Sequence, residues 1–157
     1  MIVVADTSPL NYLIQIECDN LLLQLYERVL IPRAVMKELS HPSSPISVRS
    51  WLAAVPEWAE VRETNVQPDP TLSVLDIGER EAIQLAQESH ADLLLIDERK
   101  GRAEAKRRGL ATTGTLGVLL SAGELGFVDP KAACQRLLTE TSFRITPELR
   151  EKFFGSQ

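Results

Sequence analysis

Leu93-Leu94-Leu95-Ile96-Asp97 is apolar at every position except the last. A strand with one face in water alternates apolar and polar residues, whereas a strand covered on both faces does not. The run therefore reads as a buried strand of a parallel sheet that delivers a carboxylate where the core opens to solvent. Ile2-Val3-Val4-Ala5-Asp6 has the same form. Further β-branched or leucine-rich runs at 28–32, 59–63 and 111–115 are separated by helical patterns at 10–16, 21–26, 33–40, 47–55, 77–89, 99–108 and 116–125. Two more helical patterns follow at 130–140 and 147–154. Strand–helix alternation of this kind predicts an α/β fold with a central, mostly parallel sheet between helices.

The punctuation agrees. Pro32 suits the first turn of a helix, and Gly109, Gly126 and Gly155 each follow a helical run where a left-handed residue is wanted. Loops are expected over 41–45 and 65–70. A chain of 157 residues fits one domain, with a core over about 1–128 and a helical extension over about 129–157. Cys18 and Cys134 match no metal-ligand spacing and read as buried free thiols, which fits a reducing compartment. The N-terminus meets Asp6 too early for a signal peptide, and no run approaches the roughly 18 apolar residues of a membrane span. A cytoplasmic protein without membrane contact is expected. The net charge of −5 excludes a general polyanion binder, so any nucleic-acid role needs a local basic patch or a bound cation.

In an open parallel sheet, ligands bind at the carboxyl ends of the strands. Asp6 and Asp97 sit at two such ends, although either alone could simply cap the following helix. In the helix over 77–89, Ala82, Ile83 and Ala86 form the apolar stripe. Glu79 shares that face and lies in the first turn, while Glu81 is rotated away. Asp76-Ile77-Gly78-Glu79 also fits a capping box, a competing reading of Glu79. Glu38 borders the buried face through Val35 and Leu39 but on its own would be read as a solvated flank. Converging carboxylates repel unless they are protonated or hold a cation. Oxygen ligands without His or Cys favour Mg2+ or Mn2+, the ions of phosphate chemistry. His41 and His90 read as surface residues.

Four segments together resemble the PIN-domain family, in particular the compact VapC-like toxins. They are Val4-Ala5-Asp6-Thr7-Ser8-Pro9-Leu10, Ile31-Pro32-Arg33-Ala34-Val35-Met36-Lys37-Glu38-Leu39, Gly78-Glu79-Arg80-Glu81-Ala82-Ile83 and Leu94-Leu95-Ile96-Asp97-Glu98-Arg99-Lys100. The resemblance implies a three-layer α/β/α domain with a four- to five-stranded sheet and Mg2+- or Mn2+-dependent hydrolysis of RNA. It makes Asp6, Glu38, Glu79 and Asp97 the catalytic carboxylates, with Asp6, Glu79 and Asp97 holding metal and Glu81 as the alternative central ligand. Glu38 would act through a water or on the attacking water's proton. The familiar toxins have Asp where Glu79 stands and often a further Asp where this chain reads Glu98-Arg99-Lys100. Thr7, Ser8 and Thr115 are candidates to orient ligands or water, or to cap helices.

Six of the 17 basic residues lie within 98–108, and Arg99, Lys100, Arg102 and Lys106 are candidate RNA contacts. The same relatives imply a small antitoxin partner, a type II toxin–antitoxin role and a homodimer. The stripe over 21–26 and Phe143, Phe153 and Phe154 would serve as contacts or as core. The alternative is a PIN fold used for binding or assembly with weak catalysis. Receiver-like and haloacid-dehalogenase readings fail: the strand over 59–63 ends in no phosphorylatable Asp, 111–115 carries no Lys, and Ser8 stands where a second Asp would be needed.

Overall fold

The structure is a computed structural model that describes residues 1–65 and 67–155. Residue 66, inside the loop expected over 65–70, and residues 156–157, at the end of the expected extension, lie outside the described residues. The strands are β1 (Val3–Ala5), β2 (Val29–Pro32), β3 (Ala59–Arg62), β4 (Leu93–Leu95) and β5 (Thr112–Thr113). They form one all-parallel sheet in the order β3-β2-β1-β4-β5. The chain builds outward from β1 on one side, then returns to the other side with β4. The β1/β4 boundary is therefore the switch point, where an open α/β sheet has its ligand crevice.

Helices cover both faces, giving three α/β/α layers. Val3, Ala5 and Leu95 point to a core shared with α1 (Thr7–Gln15), α2 (Asn20–Tyr26), α3 (Arg33–Leu39), α4 (Ile46–Ala53), α7 (Thr115–Glu124) and α8 (Pro130–Glu140). Phe153 of α9 (Pro147–Phe154) joins the same core. Val4, Leu94 and Ile96 point the other way, onto Ala82, Ile83 and Ala86 of α5 (Ile77–Glu88) and Ala105 of α6 (Arg99–Arg107). Burial on both faces is why β1 and β4 show no alternation in sequence.

Several boundaries differ from the sequence expectation. α1 starts at Thr7 rather than Leu10, because Pro9 in a first turn removes an N–H that has no helical partner anyway. Pro32 ends β2 and caps α3 rather than entering its first turn. Asp6 and Asp97 lie beyond β1 and β4, and Thr115 opens α7 instead of ending a strand. A single 3-10 turn, Pro70–Leu72, interrupts the loop before α5. Arg108 ties that loop to the end of α6, donating to Asp69 at 2.9 Å, Thr71 at 2.7 Å and Glu104 at 2.8 Å. Gly109 and Gly126 take φ of 80° and 78° just past α6 and α7, as their positions require. Among the described residues no helix is long and apolar enough to cross a membrane.

Candidate active site

Register decides where the two strand-end aspartates go. Ala5 pairs with Leu95, so Asp6 is level with Ile96, and Asp97 lies one residue further on. Successive side chains leave a strand on opposite faces. Asp6 therefore exits on the side of Ile96, toward α5, and Asp97 exits toward α7. The two strand-end aspartates of the sequence expectation thus leave the sheet on opposite faces. Among the described residues, no group of three or more His, Cys, Asp or Glu side chains is arranged to hold a metal ion.

Asp6, Glu79 and Glu38 are brought together. Asp6 is only 3% exposed, and its Oδ1 is buried with no hydrogen-bond partner. Burial pushes its pKa from 3.8 up to about 8; the Thr7 backbone N–H works against the rise, and the charges of Glu79, Asp76 and Glu38 add to it. Glu79, 6% exposed, makes the capping box with one carboxylate oxygen and leaves the other without a partner. Oε1 accepts from the Asp76 backbone N–H at 3.2 Å, completing a capping box in which Asp76 accepts from the Glu79 N–H at 2.8 Å. Oε2 is buried and unpartnered. Burial, and then the adjacent Asp76 charge, lift Glu79 from 4.5 to about 7, opposed by its capping hydrogen bond.

Glu38 is exposed but anchored, accepting from Thr7 Oγ1 at 2.6 Å and from the Gly78 N–H at 3.0 Å. Thr7 thus orients a carboxylate rather than capping α1. Glu81 sits apart from this group, with its Oε1 receiving the Ala34 N–H at the start of α3, 3.3 Å away. Asp97 accepts from the Thr115 N–H and Oγ1, both at 2.7 Å, so it anchors the start of α7. Burial raises its pKa, against the lowering effect of Thr115. Ser8 lines a cleft beside Asp97.

Three glycines make room for these acids. A Cβ on Gly78 would collide with Glu38 Oε1, one on Gly101 would come within 3.1 Å of Glu79 Oε2, and one on Gly114 within 2.6 Å of Asp97 Oδ1. Asp76 was legible only as a helix cap, yet its charge acts on both Asp6 and Glu79. Of the six basic residues at 98–108, Arg107 pairs with Glu104 and Arg108 with Glu104 and Asp69. Arg99, Lys100, Arg102 and Lys106 make no ion pair among the described residues, leaving them available to an anion.

Thr115→Val keeps the side-chain shape and removes one donor to Asp97. A hydrogen bond to a charged acceptor contributes about 1.5–3 kcal/mol, so Tm should fall by roughly 3–10 °C. A thermal melt indistinguishable from that of the unmodified protein would show that the hydroxyl does not secure Asp97.

The donor set fits a hard divalent cation in kind. Two buried carboxylate oxygens lack any donor, both carboxyls are pushed up by burial, and their neighbours are acids. Comparison with known proteins agrees with the architecture. A family model described as a PIN domain matches residues 2–156. The fold is similar to that of a PilT N-terminus domain protein from the hyperthermophilic archaeon Sulfolobus solfataricus P2, with a TM-score of 0.60 and 23% identity over 78% of this chain and 93% of that one. No curated protein matches by sequence.

Proposed function

We propose, from the premise that this chain belongs to the PIN-domain family, that it is a Mg2+- or Mn2+-dependent endoribonuclease, the VapC-like toxin of a type II toxin–antitoxin pair. PIN domains are generally nucleases and generally depend on divalent metal, so a nuclease-type function is the family's share of this reading. What carries the finer reading is the pair of unpartnered, buried oxygens on Asp6 and Glu79 at the switch point of the sheet. Atoms left this way are costly unless something cationic meets them.

Asp6 and Glu79 would hold the cation, with Asp97 contributing from the α7 side. The cation supplies charge neutralisation at the phosphate and acidification of a water. The chain's own residues do the rest. Glu38, an exposed residue whose two carboxylate oxygens accept from Thr7 and from the Gly78 N–H, would take the proton of the attacking water. Arg99, Lys100 and Arg102 at the start of α6, with Lys106 in its last turn, would hold the RNA backbone, which answers the acidic net charge with a local patch. Hydrolysis is direct and needs no covalent intermediate. A small antitoxin, a homodimer and a cytoplasmic location complete the proposal.

A second reading, a PIN fold used for binding with weak catalysis, is favoured by one observation. Glu38 and Asp97 are already engaged by Thr7, Gly78 and Thr115. One assay separates the two readings. Labelled single-stranded RNA incubated with purified protein should be cut in Mn2+ or Mg2+ and left intact in EDTA. Cutting that persists in EDTA removes the metal from the mechanism, and no cutting under any divalent ion leaves the binding reading.

A further inference from the structure

A cleft of about 660 Å3 opens beside Asp97, on the α7 side of the site. One wall is the α1 residue Tyr12 with Leu116 and Leu120 of α7; the other is the segment 143–153, which carries Phe143, Arg144 and Lys152. The sequence assigned this segment only to core packing or subunit contact. Tyr12 and Phe143 meet edge to face with ring centroids 5.1 Å apart, and both are half-buried, so each keeps surface in the cleft. Ser142 lies within 3.4 Å of the Tyr12 hydroxyl, tying the two walls together. Arg99 and Arg102 of α6 line the cleft with the exposed Arg144 and Lys152, four cations against the three acids Asp97, Glu98 and Glu148 of the same lining.

Flat apolar rings and cations lining one cleft are the elements that bind one nucleotide: base on the rings and phosphate on the cations. We propose that this cleft is a nucleotide subsite, which seats one unpaired RNA residue next to the phosphate being cut and uses the segment 142–153 to select it. The proposal rests on the ribonuclease reading for its substrate. A base can reach Tyr12 and Phe143 only when it is unstacked and unpaired, so single-stranded RNA is preferred over duplex.

The test is fluorescence anisotropy of a fluorescein-labelled, mixed-sequence RNA of about 12 nucleotides, a length within the usual single-strand site range, measured in EDTA so that nothing is cut. The duplex form and versions carrying a single abasic position are compared with it. The unmodified protein should bind the single strand more tightly than the duplex, and one abasic position should weaken binding roughly five- to fiftyfold. Phe143→Leu preserves an apolar side chain and should abolish that abasic penalty. Arg144→Ala with Lys152→Ala should flatten the slope of log affinity against log salt by about 1.4, the value for two lost phosphate contacts on a single strand. Circular dichroism melts confirm that each variant is folded.

An unchanged salt slope in the double variant, or an abasic penalty that survives Phe143→Leu, overturns the subsite. If binding behaves as expected while no divalent ion yields cleavage, the subsite stands and the nuclease reading falls.

Discussion

Asp6→Asn should lower RNA cleavage by about 10³-fold or more and, in the same preparation, raise the melting temperature of the metal-free protein. The two effects have one cause. A carboxylate 3% exposed, with an unpartnered oxygen and three acids nearby, is held from 3.8 up to about 8. Each pKa unit is about 1.4 kcal/mol, so at neutral pH the folded state must keep a proton that the unfolded chain has released, at a cost of several kcal/mol. An amide of the same shape is a buried polar group that is neutral without taking up a proton. It also places a donor where the unpaired atoms are acceptors. A gain of roughly 2 kcal/mol corresponds to about 4–8 °C for a chain of this size. Calorimetry in EDTA reads the stability, and a gel assay in Mn2+ reads the cleavage. A variant that melts lower than its parent, or that still cuts RNA at the parent rate, contradicts the assignment of Asp6.

Millimolar Mn2+ should raise Tm, and the increment should widen as pH increases from about 6 to 8.5. Asp6 and Glu79 both have folded pKa values above their unfolded ones, about 8 against 3.8 and about 7 against 4.5. The folded state therefore binds more protons than the unfolded state between roughly pH 4 and 8, and metal-free stability is lost as pH rises through that window. A cation prefers the ionised pair, so it must displace protons at the lower end of the range and meets little competition at the upper end. With free ion at 100 times its Kd the gain is about 2.7 kcal/mol, or roughly 5–10 °C. Asp6→Asn should remove most of it. An increment that does not vary with pH would show that the ion binds elsewhere.

Much of the fold was legible because burial on both sheet faces leaves a plain mark. Leu93-Leu94-Leu95-Ile96-Asp97 and its counterpart ending at Asp6 could hardly be anything but covered strands. The strand order is not written in any local run, and Thr112–Thr113 is too short to carry a pattern. Glu79 was legible through helical phase, and the capping box that competed with that reading takes one oxygen and leaves the other without a partner. The face by which Asp97 leaves the sheet was not legible, for a geometric reason. Its distance in residues from the strand pairing sets which face it leaves by, and that depends on the β1/β4 register. The cleft was illegible because Tyr12 and Ser142 are 130 residues apart in sequence. The six basic residues at 98–108 looked alike until Glu104 and Asp69 were seen to engage Arg107 and Arg108.

The tight spaces around the glycines bear on how this protein can be engineered. Replacing glycine by alanine within helices is a standard way to harden a protein, since it restricts the unfolded chain and favours the helix. Gly78, Gly101, Gly117 and Gly123 are the helical glycines among the described residues, and in each case an added methyl would meet another atom well inside contact distance. At 78 and 101 the obstruction includes the carboxylates of the site itself. A thermostabilisation campaign would have to bypass these positions and work on the solvent-facing turns instead. A random library selected for heat resistance alone would drift toward variants whose acids have been pushed out of place.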